Sequence, residues 1–247
     1  MDKDFEKKYH LIEQTQWWFT GRREAIHRLL KNMNKARSVL DIGCSGGLLI
    51  QELAAKYPHL DIYGIDVSEE AINQCRAAGL KNIFQMDATN PDLPKNYFDL
   101  IISSDCLEHI ENDSLALNNW FKLLSPGGSL LLFVPAFKQL WGPHDVINHH
   151  FRRYTSGELN HKIKQTGFEI QQSGYWNIAL FFPALIGRSL KRMFNTGTEK
   201  ADNLVNPPEW LNALLKGWLH LENKLLGKLR FPFGISTWCL AIKQKTN

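Results

Sequence analysis

Short apolar runs alternate with stretches of helical periodicity along most of this 247-residue chain. The runs Ser38–Ile42, Asp61–Asp66, Asn82–Gln85, Phe98–Ser103 and Ser129–Val134 predict strands, and the pattern resumes at Phe168–Gly174 and at Ile235–Lys243. Phe98–Ser103 is almost wholly apolar, as a strand covered on both faces has to be. Leu48–Lys56 predicts a helix that Pro58 stops. Ser68, followed by Glu69 and Glu70, caps another that Gly79 closes, and Thr155 with Glu158 makes a capping box for a later one. Strands alternating with helices predict an α/β fold with right-handed crossovers and a ligand crevice at the C-terminal ends of the strands.

The break after the first strand is the most informative segment. Ser38-Val39-Leu40-Asp41-Ile42-Gly43-Cys44-Ser45-Gly46-Gly47 runs from strand into a glycine-rich turn, which lets a small molecule approach bare backbone. The glycines fall at 43, 46 and 47, not in the Gly-x-Gly-x-x-Gly order of a dinucleotide site, and no Gly-Lys-Ser/Thr closes a P-loop. Pyrophosphate sites use a helix N-terminus for an anion. An acid at the strand end suits a cationic or hydroxyl-rich ligand instead. Asp66, 25 residues after Asp41, stands near the spacing of a ribose-binding acid, and a carboxylate accepts from both ribose hydroxyls. Asp87 is placed to accept from an exocyclic amine; an ordinary solvated turn acid accounts for it as well.

These segments, with Gly64-Ile65-Asp66-Val67-Ser68, Asp87-Ala88, Phe98-Asp99-Leu100-Ile101, Leu107-Glu108-His109 and Leu124-Ser125-Pro126-Gly127-Gly128, resemble class I S-adenosylmethionine-dependent methyltransferases across residues 38–135. The likeness extends more loosely to Trp17-Trp18-Phe19, Gly21-Arg22-Arg23 and Leu140 through Tyr154, and leans toward small-molecule enzymes of the quinone and lipid O-methyltransferase type. It implies a Rossmann-like, doubly wound sheet of seven strands, mostly parallel with an antiparallel last strand. It implies S-adenosylmethionine as cofactor and S-adenosylhomocysteine as product. Asp41 and Gly43 would border the methionine part, with Ser45 and Gly46 supplying backbone. Asp66, with Val67 beside it, would hold the ribose, and Asp87 and Ala88 the adenine. Ser104 would lie near the amino acid end, Trp18 would belong to a lid, and Arg22 or Arg23 would pair with the donor carboxylate. One departure is Ser45, which stands where the family has the second glycine of its turn.

Composition narrows the field. A hydrophobic share of 44% is that of a globular chain with a full core. The net charge of +4 comes from residues 176–232, which hold eight Lys or Arg and four Asp or Glu. Charge so confined, without basic-aromatic interleaving, excludes nucleic acid as a partner. Cys44, Cys75, Cys106 and Cys239 lack metal-site spacing, and the N-terminus is charged and polar, so the expected location is cytoplasmic, extending at most to peripheral contact with the inner membrane face.

About sixty residues separate the last two predicted strands, too many for a hairpin loop. Within them, Trp176–Gly187 carries no charge and is too short to span a bilayer. Trp210, Leu211, Leu214, Leu215, Trp218, Leu221, Leu225 and Leu229 recur at helical spacing beside Lys216, Lys224 and Lys228. Packing on the sheet or on a second subunit is the favoured reading of this stripe, since any packed helix needs one. A basic amphipathic helix on an anionic membrane, or a lid over a hydrophobic substrate, are the others. Asn203–Pro208 reads as the linker between the two helices.

The predicted organisation is a helical lid segment over 1–37, an S-adenosylmethionine-binding core over 38–175, the insertion over 176–232 and the final core strand over 233–247. Two constellations offer chemistry. If a helix begins near Asp105, then Asp105, Glu108 and His109 share a face and make a metal set. This set is similar to the Glu-x-x-Glu-His of quinone-biosynthesis O-methyltransferases, although a metal is not expected to be required. The second, His144 through His150 ahead of Arg152-Arg153-Tyr154, should line the crevice; His109, His144, Asp145 and His149 are the candidate catalytic residues, with a histidine as the natural proton acceptor. The expected function is methyl transfer to a small or lipid-like, hydrophobic acceptor at oxygen. N- or C-methylation, or cofactor binding without turnover, are the rivals.

Overall fold

The structure is a computed structural model and describes residues 12–30, 36–193 and 207–245. The start of the predicted N-terminal segment and most of the predicted linker lie outside the described residues. The elements are α1 (Trp17–Leu29), β1 (Ser38–Ile42), α2 (Leu48–Lys56), β2 (Asp61–Asp66), α3 (Glu69–Ala77), β3 (Ile83–Gln85), β4 (Phe98–Ser104), α4 (Asp113–Leu123), β5 (Leu124–Pro135), α5 (Pro143–Ile147), α6 (Ser156–Gln165), β6 (Phe168–Trp176), α7 (Phe181–Met193), α8 (Glu209–Leu225) and β7 (Ser236–Lys243).

The strands form a seven-stranded sheet in the order β3-β2-β1-β4-β5-β7-β6. The pairings among β1 to β5 are parallel, and β7 runs antiparallel to both β5 and β6. The alternation of side chains divides each central strand between two cores. Val39, Leu100, Ile102, Leu131 and Phe133 face α1, α2, α3 and α8, whereas Leu40, Ile42, Ile101, Leu130 and Leu132 face α4 and α6. Strand order reverses between β1 and β4, which puts the ligand crevice at their C-terminal tips.

Two local expectations change. The segment Leu124–Gly128, outside the predicted strand Ser129–Val134, is the first part of β5, which pairs Phe98 with Leu124 and then shifts register to pair Leu100 with Ser129. No helix begins at Asp105. That residue adopts the left-handed region at φ 54°, a single 3-10 turn follows at Leu107–His109, and α4 starts only at Asp113, with Asn112 capping it. The i, i+3, i+4 face proposed for Asp105, Glu108 and His109 therefore does not form.

Helices α7 and α8 lie between β6 and β7, and α1 packs against α8. Gly21 makes that approach close: a Cβ there would sit 2.4 Å from Leu219 Cδ1. Polar side chains fasten the inner face of α8. Asn212 Oδ1 accepts from the Trp17 N–H (2.8 Å), Asn223 bridges the Gly21 carbonyl (2.9 Å) and the Trp176 indole (2.8 Å), and buried Glu222 accepts from the N–H groups of Asn177 and Ile178. Among the described residues, no helix is long and apolar enough to cross a membrane.

Candidate active site

At the tips of β1 and β2, the N–H groups of Gly43 and Cys44 donate to the Ile65 carbonyl (2.9 and 3.1 Å), folding the glycine turn over β2. Gly43 has φ 77°, and a Cβ would lie 2.8 Å from Cys106 Cβ, so this position needs glycine twice over. Ser45 occupies the left-handed region at φ 49° and donates its N–H to Asp66 (2.9 Å) and its hydroxyl to Glu13 (3.2 Å); Gly46 completes the turn. The other oxygen of Asp66 accepts from the Ser68 N–H at 3.0 Å.

Asp41 lies 4% exposed beneath them, and its carboxyl is pushed up to about 7, first by burial and then by the negative charges of Asp66 and Glu13. Three acids converging on one crevice leave a deficit of positive charge there. A ligand carrying a sulfonium, an ammonium and a ribose diol supplies both the cations and the donors, so this set fits S-adenosylmethionine. Of the residues expected around the adenine and ribose, exposed Asp87 accepts from the Thr89 N–H (2.7 Å), the Ala88 carbonyl accepts from the Trp120 indole (2.8 Å), and Val67 is 74% exposed with its carbonyl on the Gln85 amide (3.0 Å).

Arg22 differs from its expected role. Its guanidinium is buried between Trp18, Phe133 and Trp176, with ring centroids 5.3, 4.6 and 4.4 Å away. It pairs with Asp105 (2.8 Å) and donates to Ser104 (3.2 Å) and Ser236 (2.7 Å). Asp105 is thus claimed by an ion pair with α1 rather than offered to a metal, and Arg22 braces the tips of β4 and β7. Arg23 is held by Glu52 at 2.7 Å.

Beside this brace opens a cavity of about 420 Å³. Trp17, Trp18 and Phe19 wall one side, Leu180, Pro183, Ala184 and Arg188 another, and Glu108, His109, His144, Asn148, His150 and Arg153 form the polar part. Asp145 is fully buried and accepts from His150 (2.9 Å), Arg153 (2.7 Å) and the Gly142 N–H (2.7 Å). Burial alone would raise its pKa, but these donors and the Arg153 charge hold it well below the usual carboxylate range. Asp145 therefore positions its neighbours and takes no proton itself.

His149, chosen from sequence, is exposed and absent from the cavity wall; His150 takes its place. A left-handed φ of 55° at His149 turns the two side chains apart. Burial, reinforced by the neighbouring imidazole of His150, lowers His109 and His144 to about 4, so both are neutral at pH 7. His109 and His150 meet edge to face with centroids 4.5 Å apart.

Glu108, His109 and His150 bring their ligand atoms within 4.8 Å of one another. Both Glu108 carboxylate oxygens are buried without a hydrogen-bond partner, and burial, then the Asp105 charge, raises that carboxyl well above its usual value. Sequence spacing could not find this set, because His150 comes from the far side of α5. Glu13 and Asn148 were likewise missed.

The family described as "Methyltransferase domain" matches residues 16–173. Curated relatives include a phosphoethanolamine N-methyltransferase of Arabidopsis thaliana, 30% identical over 160 residues (61% of this chain, 29% of the relative), and a ubiquinone biosynthesis O-methyltransferase of Coxiella burnetii, 26% identical over 168 residues (62% and 66%). An uncharacterized methyltransferase of Mycobacterium tuberculosis is 36% identical over 93 residues, and that match spans about half of its length (47%). Among solved structures, the plantazolicin methyltransferase BpumL in complex with SAH superposes with a TM-score of 0.64 at 18% identity (99% and 91% of the two chains). A SAM-dependent methyltransferase of Archaeoglobus fulgidus does so at 0.60 and 20% (98% and 100%). With its acid-tipped parallel strands and a family match that covers most of the sheet, the chain belongs to the class I, S-adenosylmethionine-dependent methyltransferase-domain family.

Proposed function

We propose that this chain methylates a hydroxyl of a small hydrophobic acceptor. The carrying observation is the cavity in which His150, oriented by buried Asp145, faces a wall of aromatic and aliphatic side chains. S-adenosylmethionine, when bound by Asp41, Asp66 and the Gly43–Gly46 backbone, supplies a methyl carbon activated by its sulfonium. The protein's own contribution is placement and proton removal. Because Asp145 is ionised, His150 donates from Nδ1 to it and leaves Nε2 as the acceptor for the hydroxyl proton. Trp17, Trp18 and Phe19 exclude water from the acceptor. The relatives named above act on oxygen in one case and nitrogen in another. The wall of aromatic and aliphatic side chains favours a phenol- or alcohol-like acceptor.

A second reading is favoured by Glu108. Its two orphaned oxygens, with His109 and His150, form a His₂-carboxylate set that suits a divalent transition metal, and Asp145 would hold His150 as a ligand rather than a base.

Incubating the protein with cell extract and isotopically labelled S-adenosylmethionine, then identifying the labelled product by mass spectrometry, tests the proposal. A labelled methyl ether or ester supports it. Label on nitrogen or carbon overturns the acceptor atom, and donor binding without any labelled product overturns the activity.

A further inference from the structure

The apolar stripe of the insertion is not spent on packing against the sheet domain. Trp210, Leu214, Trp218, Leu221 and Leu225 of α8 are 44–70% exposed, while the face that packs on the domain is the one fastened by Asn212, Glu222 and Asn223. Packing therefore does not use the stripe. The same inversion occurs on α7. Its cavity side carries Pro183, Ala184 and Arg188, and its outer side shows Phe182, Ile186 and Leu190, 47–57% exposed at i, i+4 and i+8. Phe233 meets Phe182 edge to face with centroids 4.9 Å apart, which joins the α7 surface to the segment following α8. Exposed apolar side chains in such number mark a docking face.

The charges around the stripe select its occupant. Lys224, Lys228 and Arg230 are exposed at the C-terminal end of α8, with Lys216 partly so. Of the two acids in residues 207–230, Glu222 is buried on the Asn177 and Ile178 N–H groups, which leaves only Glu209 facing solvent. A second copy of this chain would offer, from the same segment, Glu209 alone to meet those cations. A bilayer with anionic headgroups receives every part: leucines in the acyl boundary, Trp210 and Trp218 at headgroup level, and lysines on phosphates. We infer that α8 and the outer face of α7 dock the protein on an anionic membrane surface, with the α7 wall of the cavity next to the lipid. The surface stands apart from the identity of the acceptor.

Vesicle flotation of the full chain tests this, with phosphatidylcholine vesicles and vesicles also containing phosphatidylglycerol. Binding to the anionic vesicles is expected, weakening with salt. Trp210→Ser/Leu214→Ser/Trp218→Ser should abolish it while the melting temperature holds, because those side chains are exposed. Lys224→Glu/Lys228→Glu/Arg230→Glu should weaken it roughly fivefold or more per charge. Failure of the wild type to float with anionic vesicles overturns the inference, as does equal flotation of the serine variant. A concentration-dependent dimer that the serine variant breaks, without vesicle binding, assigns the face to a second copy and also overturns it.

Discussion

Nδ1 of His150 lies 2.9 Å from Oδ1 of Asp145, and the same carboxylate takes the guanidinium of Arg153 at 2.7 Å. One buried charge thus fixes both the imidazole and the strand-end loop around it. The two functions separate by mutation. His150→Gln should keep the fold and lower kcat by about 10²–10⁴ with donor affinity unchanged. Asp145→Asn should destabilise the protein by about 3–5 kcal/mol, because Arg153, 3% exposed, keeps its buried charge. Steady-state kinetics and thermal melts distinguish the two.

The donor crevice should respond to pH. Asp41 is raised to about 7, so it is largely protonated at pH 6 and ionised at pH 8. A cationic ligand favours the ionised form. Affinity for S-adenosylmethionine is expected to rise across that interval, with a proton released on binding. Without ligand the sign is opposite: an acid whose folded pKa lies above the unfolded value loses stability as pH climbs from about 4 toward 7. Calorimetry in buffers of different ionisation enthalpy reads the proton directly. Asp66→Ala should weaken donor binding by about 10- to 100-fold, since charge-assisted bonds contribute about 1.5–3 kcal/mol; unchanged affinity would remove the ribose assignment.

Asp113 works in the other direction. Burial would raise it, but hydrogen bonds from Lys162 and Tyr154 and the charge of Arg152 bring it below its ordinary value. Its contribution is complete above the unfolded carboxylate pKa and disappears as pH falls through the folded one. Asp113→Asn should therefore lower the melting temperature at pH 7 and have progressively less effect on acidification.

Gly43→Ala is expected to disturb the turn by about 1–3 kcal/mol, because the new methyl meets Cys106 and the backbone is left-handed. Donor affinity should fall together with stability, measured by titration and melting.

The metal reading has its own assay. Treatment with a chelator followed by readdition of zinc or manganese should abolish and restore turnover if Glu108, His109 and His150 hold an ion; full activity after chelation assigns His150 as a base.

Much of the sheet was legible because each strand obeys a local rule. Val39 and Leu40, or Leu100 and Ile101, alternate between two cores, and a central parallel strand therefore reads as a continuous apolar run. The acids at positions 41 and 66 could be found because they stand at strand tips. The polar wall of the cavity could not. His150 meets His109 only through a left-handed residue and a five-residue helix, and Arg22 reaches Asp105 across 83 positions of chain. The stripe on α8 was visible, but whether it faced inward depended on Asn212, Glu222 and Asn223, whose polar character gave no hint that they were the packing side.

The contact at Gly21 links events at opposite ends of the chain. The N-terminal arm meets the glycine turn where Glu13 accepts from Ser45, its helix bears directly on Leu219, and no spare volume separates Gly21 from that leucine. Any larger side chain at position 21 would therefore wedge α1 away from α8, so a single hydrogen atom sets how closely the arm and the outermost helix can seat.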